Sequence, residues 1–283
     1  MHDREEAISL NDYTRLSALI YDETGIALGA GKKTMLEGRI RRRLKALAIH
    51  SYREYCGYLF SKDGQGQELI HLIDAVTTNK TDFFREPRHF DFLISRVLPE
   101  HLEGGGGRRP FLVWSAGCST GEEPYTLAMV LSEYGRAHPG FSFRIHATDI
   151  STAVLAKAAL GIYSIDVART VPQSLKIRYF MHGRERGSAR VRVVPELRRL
   201  VEFRRVNFID SDYGIQEKFD AIFCRNVIIY FDKPTQQSIL KKIARCLLPR
   251  GWLFMGHAET LHELDLPVEP IAPALYRRIN GRA

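Results

Sequence analysis

The residues best able to do chemistry begin in a stretch at 113–125 that reads VWSAGCSTGEEPY. An apolar run at 111–114 has the composition of a buried strand, and only small residues follow it up to Gly121. Gly117 and Gly121 open backbone angles closed to other residues and let a ligand come close. Pro124 suits the first turn of a helix, while Glu122 and Glu123 suit the positive end of its dipole. Strand, glycine turn and helix together make the nucleotide-site geometry of a doubly wound α/β sheet. A plain turn that merely needs glycine is the alternative. The spacing is neither GxGxxG nor that of a phosphate loop, so the common pyrophosphate cradles are absent.

Three further stretches carry polar groups in unusual company. Residues 77–87 read TTNKTDFFREP, and the adjacent Phe83 and Phe84 argue against a solvated linker. Docked by those two rings, the segment leaves Asn79, Thr81 and Arg85 to line a site. A strand at 141–147 runs into Thr148 and Asp149. An acid at the end of the second strand is where such folds hold ribose hydroxyls. Asp149 could equally cap the helix that follows. A core strand, FDAIFC at 219–224, runs into Arg225, Asn226 and then Tyr230, which points polar groups out of the carboxyl edge of the sheet. A nucleoside acid without a pyrophosphate cradle favours S-adenosylmethionine (AdoMet). Methyl transfer from it asks chiefly for in-line placement of the acceptor. No Ser/His/Asp set is visible, and the ten histidines show no HxH or HExxH spacing, so no metal is expected.

Positioning these residues requires two kinds of architecture. Residues 1–76 read as helical, with a helix expected at 32–49 whose Leu36, Ile40, Leu44 and Leu47 form one stripe. Arg39, Arg41, Arg42, Arg43 and Lys45 cover the rest of that helix, and Glu37 is the only acid within it. An acidic target would supply the missing partners. Residues 77–90 form the linker, and residues 91–283 alternate helix and strand. A small basic β-subdomain is inserted at about 163–195, with the glycine-flanked turn Gly183-Arg-Glu-Arg-Gly187. Four glycines at 104–107 read as a flexible loop. The net charge of +8 suits an acidic partner of any kind. No run reaches the roughly 18 apolar residues of a membrane span. The four cysteines are scattered, as in a reduced, cytoplasmic protein.

The blocks TTNKTDFFREP, VWSAGCSTGEEPY, ATDIS, FDAIFCRNVIIYFD and GHAE occur in an order and spacing that resembles the chemotaxis receptor methyltransferases, the CheR family. That resemblance covers nearly the whole chain. It implies a doubly wound AdoMet-dependent methyltransferase sheet with an inserted β-subdomain, preceded by a small all-α domain. The implied activity is methylation of receptor glutamates, giving methyl esters and S-adenosylhomocysteine, in sensory adaptation. Cofactor contacts would fall to Asn79, Thr81, Arg85, Glu123, Asp149, Asn207, Phe208, Arg225 and Asn226. Arg85 and Tyr230 would work near the transferred methyl. The basic helix, through Arg39, Arg42 and Arg43, would face the receptor's acidic helical bundle, and the insert would bind a receptor tail peptide. Two other readings compete: a nucleic-acid methyltransferase or RNA-binding module using the basic stripe, and an AdoMet-binding sensor without turnover. The first lacks the interleaved aromatic and basic residues of an RNA-binding surface. Against the second stands the retention of Arg85, Asn226 and Tyr230.

Overall fold

The structure, a computed structural model, describes residues 7–104, 109–183, 189–262 and 264–279. Four helices come first: α1 (Leu10–Thr24), α2 (Lys33–Leu47), α3 (Tyr52–Leu59) and α4 (Gln67–Val76). Ser9 caps α1 by accepting the Asp12 N–H at 3.0 Å, and Gly25 ends it in the left-handed conformation. Leu36, Ile40 and Leu44 from the stripe of α2 are buried against Leu16, Ile20, Tyr55 and Leu72. This is the single core of the helical unit, built by the 3.6-residue period.

After the linker, α5 (Arg88–Phe92) passes through a π-turn (Leu93–Val97) into α6 (Leu98–Glu103). The strands β1 (Phe111–Ala116), β2 (Phe143–Asp149), β6 (Val201–Arg205), β7 (Phe219–Cys224) and β8 (Leu247–Met255) are parallel, in the order β6-β2-β1-β7-β8. β10 (Leu275–Arg278) and β9 (Val268–Ala272) extend the sheet antiparallel. Helices α7 (Glu122–Ala137), α8 (Thr152–Leu160) and α11 (Lys233–Cys246) cover its faces. Along β1, Phe111 and Val113 join the core beside α7, while Trp114 and Ala116 join the one beside α11. A strand buried on both faces reads as the continuous apolar run seen in the sequence. The order reverses at β1, so the crevice beyond the carboxyl ends of β1 and β7 is where ligands of such sheets bind.

β9 was not anticipated. Its sequence, VEPIA, lacks alternation and carries Pro270, which is tolerated because β9 is the edge strand. The insert is a three-stranded antiparallel sheet, β3 (Ile162–Ser164), β5 (Arg190–Val193) and β4 (Phe180–His182), in the order β3-β5-β4. Two short helices accompany it, α9 (Gln173–Tyr179) and α10 (Pro195–Arg198). Residues 105–107 of the glycine run and 184–187 of the glycine-flanked turn lie outside the described residues.

Two features seat the helical unit and the linker on the sheet. Ile26 forms an antiparallel bridge with Phe231, and the Ala27 N–H donates to the Tyr230 carbonyl at 3.1 Å. Gly25 is required there, because a Cβ on it would lie 2.6 Å from Ile209 Cγ2. In the linker, Phe83 is 1% exposed and packs edge-on against Tyr163 and Phe180 of the insert, at 4.9 and 5.6 Å between ring centroids. Phe84 packs on Phe90, and its N–H donates to Thr126 Oγ1 at 3.2 Å. The paired rings thus anchor the segment. Phe83→Ala is expected to cost about 3–5 kcal/mol, as large aromatic truncations in cores do. Urea denaturation measures this, and a loss below about 1 kcal/mol would show that the ring anchors nothing.

Candidate active site

The glycine turn leaves β1 with Gly117 at φ +83° and Gly121 at φ +98°. A Cβ on Gly117 would sit 2.4 Å from Val227 Cγ2, so this residue must be glycine for the segments after β1 and β7 to approach each other. Between those segments lies a cleft enclosing about 830 Å³, its solvent-open part included. Its walls come from Ile26 of the helical unit, Thr77–Asp82 and Arg85 of the linker, the glycine turn, the end of β2, and residues 225–231.

Most residues expected at the site meet in this cleft: Asn79, Thr81, Arg85, Glu123, Asp149, Phe208, Arg225, Asn226 and Tyr230 all line it. Asn207 does not. Its side chain is spent on the domain seam, donating to the Glu23 carbonyl at 2.7 Å and accepting from the Ile209 N–H at 3.3 Å. Asp149 lies beneath the turn, with Oδ2 accepting from Ser119 N at 2.9 Å and Oδ1 from Ser151 N at 3.0 Å. The cap of α8 is Ser151, not Asp149. Burial pushes the Asp149 carboxyl above its ordinary range, against the pull of the Ser151 and Ser119 N–H groups.

Arg225 is the electrostatic centre. Its side chain is 2% exposed, with Nη1 3.0 Å from Glu123 Oε2 and Nη2 3.1 Å from Glu86 Oε2. The same guanidinium donates to the Arg85 carbonyl and so fixes the backbone beside the Arg85 side chain. Glu123 also accepts from Ser115 Oγ at 2.7 Å. Burial raises the Glu123 carboxyl, with Arg225 opposing. For Glu86 burial also works against the charge, but Arg225 prevails and its pKa lies below the ordinary range.

Glu259, in the GHAE block, has a role that the sequence left unassigned. It is buried, and its Oε1 accepts from Val227 N and Ile228 N at 2.8 and 2.9 Å. Oε2 accepts from Asn226 N and Gly256 N at 2.8 and 2.7 Å. This carboxylate holds the turn after β7, where Asn226 takes φ +58°, against the end of β8. Burial pushes it up and the four N–H groups oppose that. An acid three residues after the glycine that follows β8 was the available signal. Reading it needed the 226–228 turn in place.

The basic helix is only partly free. Arg43 pairs with Glu68 of α4, Nη2 to Oε2 at 2.6 Å and Nε to Oε1 at 2.9 Å. Arg39 donates to the carbonyls of Val76 and Thr77, the latter at 2.9 Å, and to Thr78 Oγ1 at 2.9 Å. The partners missing within α2 therefore come from α4 and the linker, and Arg39 buttresses the wall of the cleft. Arg42 is exposed.

A doubly wound sheet with this cleft at its switch point defines a class, the AdoMet-type methyltransferase fold. Residues 79–272 match the family described as CheR methyltransferase, SAM binding domain, and residues 11–77 match the CheR methyltransferase all-alpha domain. The chemotaxis protein methyltransferase of Borreliella burgdorferi is 39% identical, over 96% of this chain and 95% of that protein. That of Salmonella typhimurium is 42% identical, over 91% and 86%. Chemotaxis protein methyltransferase 2 of Pseudomonas aeruginosa is 39% identical, over 94% and 92%. The chain belongs to the CheR methyltransferase family, and it is an AdoMet-dependent methyltransferase.

The cleft suits that cofactor. Two carboxyls that burial holds above their ordinary range, Glu123 and Asp149, line the cleft, and AdoMet carries a positive sulfonium. A cation favours their ionised forms, so binding releases protons. AdoMet affinity is expected to fall as pH drops through their raised values, which lie above the ordinary 4.5 and 3.8. Calorimetry in buffers of different ionisation enthalpy measures both effects, and a pH-independent affinity without proton release would refute this.

Proposed function

We propose that the chain transfers methyl groups to glutamate side chains of chemoreceptor cytoplasmic domains, forming methyl esters and S-adenosylhomocysteine in sensory adaptation. The reading rests on family membership and on one observation of geometry. Arg85, from the linker, and Tyr230, from the segment after β7, line the same cleft as Glu123 and Asp149. AdoMet supplies an electrophilic methyl on a sulfonium leaving group. The acceptor carboxylate is already nucleophilic near neutral pH, so the protein's task is placement. In this proposal Arg85 orients the acceptor carboxylate through a two-pronged hydrogen bond. Its own Nη1 holds the Lys80 carbonyl at 3.0 Å, which pre-orders it. Tyr230 closes the opposite side. Asp149 serves the ribose, while Asn79, Thr81, Glu123, Phe208, Arg225 and Asn226 serve the remaining cofactor contacts.

The division of labour follows the chain. Residues 1–76 meet the receptor, residues 77–90 form the linker that closes the site, and residues 91–283 hold the cofactor. Receptor methylation regions are acidic, and the exposed Arg42 fits them by charge. Arg39 and Arg43, internally paired, act by shaping α2. Among the described residues, the inserted sheet at about 163–195 has β4 at its edge, flanked by the exposed apolar side chains of Ile177 and Met181. An extended receptor tail would add to such an edge. No helix among the described residues is long and apolar enough to cross a membrane. A cytoplasmic location accords with that, and no role for nucleic acid or a metal is needed in the transfer.

Transfer of labelled methyl to receptor cytoplasmic domains, with base lability to diagnose an ester, tests the reading. Arg85→Ala is expected to lower kcat by at least a hundredfold, and wild-type turnover would remove it from the site. Arg42→Glu and removal of the receptor tail should each raise the receptor KM several-fold while AdoMet affinity stays unchanged. An unaltered KM in either case discards the corresponding contact. A base-stable product would overturn the ester chemistry itself.

A further inference from the structure

Beside the cleft, on the far side of Arg225, lies a group of side chains to which the proposed transfer gives no role at the methyl or the acceptor. Glu86, His89 and His257 bring one donor atom each to within 4.8 Å of one another. Glu86 Oε2 is 3.5 Å from His89 Nδ1 and 3.9 Å from His257 Nε2. Donors on a tetrahedral ion with bonds of 2.0–2.1 Å stand about 3.4 Å apart. The two Glu86 pairs are within about 0.5 Å of that spacing, and the two imidazoles would close from at most 4.8 Å, which the half-exposed His257 side chain can supply by rotating.

His89 is the observation that calls for a ligand. It is 2% exposed, and neither of its ring nitrogens has a hydrogen-bond partner among the described residues. Leaving a buried polar group unsatisfied costs about 1–3 kcal/mol, and such groups are rare in folded proteins. Its ring stands edge-on to Phe254 and His257, at 5.7 and 5.2 Å. Burial pushes His89 down to about 4, so the imidazole is neutral, the form that binds metals. Glu86 Oε2 faces the Arg225 guanidinium at 3.1 Å, so an ion here would share this oxygen with Arg225. The Glu86 backbone is held at φ +56°, following Phe84 at φ +55°. His257 has a half-exposed side chain and gives solvent access. One charge opposes a cation, the Arg225 guanidinium 3.1 Å from Glu86 Oε2, and Glu123 partly balances it at 3.0 Å.

We propose that Glu86, His89 and His257 form a binding site for a single divalent transition-metal ion of the zinc class, separate from the AdoMet cleft. Two imidazoles and one carboxylate are a donor set suited to zinc. Sequence spacing conceals it, because His257 lies far along the chain at the end of β8 and joins the other two only in the fold. When filled, the site clamps the linker turn at Glu86 to the sheet.

The test is titration of the chelator-stripped full chain with Zn2+ by calorimetry. One saturable site per chain is expected, and His257→Ala should weaken it at least tenfold with no change in the unfolding transition, since His257 is exposed. Co2+ serves as the spectroscopic probe and should show weak visible bands without an intense thiolate band. Absence of saturable binding, an unaltered affinity in His257→Ala, or a thiolate band would each overturn the proposal.

Discussion

A cation buried between two carboxylates governs this site. Arg225 sits with Glu86 on one side and Glu123 on the other, its own side chain almost wholly buried. Removing one member of such a group leaves an uncompensated buried charge, which costs far more than the pair gains. The three residues come from the linker, the first turn of α7 and the end of β7. Their mutual need for neutralisation therefore fixes three segments at once. The hydrogen bond from Arg225 to the Arg85 carbonyl carries that order to the side chain proposed to meet the acceptor.

Glu259 does the same work by another means. It has no charged partner among the described residues but accepts from four backbone N–H groups, three of them in the turn at Asn226, which it thereby holds. Together the two carboxylate systems replace a phosphate-binding loop. Acids and bases line the cleft in equal number, Asp82, Glu123 and Asp149 against Lys80, Arg85 and Arg225. A cradle for pyrophosphate would present N–H groups instead. Methyl transfer from a sulfonium asks chiefly for correct placement.

Much of the fold was legible in the sequence because its signals are local. The glycine turn, the 3.6-residue stripe of α2 and the apolar runs of β1 and β7 depend on neighbours a few residues away. The edge strand β9 was not legible, since pairing with β10 rather than alternation defines it. At the site, the linker's Phe83 and Phe84 were readable because apolar pairs in polar surroundings need burial. The direction of the Asn207 amide was not readable, because only the seam with α1 shows that it turns to the Glu23 carbonyl while its neighbour Phe208 lines the cleft. Arg39 and Arg43 looked unpaired within α2, yet Glu68 and the end of α4 supply their partners. The gathering of Glu86, His89 and His257 was invisible for the same reason.

The bridge between Ile26 and Phe231 gives the cleft a wall from each of the two units that the family descriptions separate. Inheritance must respect that seam. A chimera that joins the helical unit of one relative to the sheet of another at Thr77 would mix the two sides of one cavity. Residues 21–27 and 207–232 are thus expected to drift together among relatives, and grafts that move them as a set keep the cavity intact.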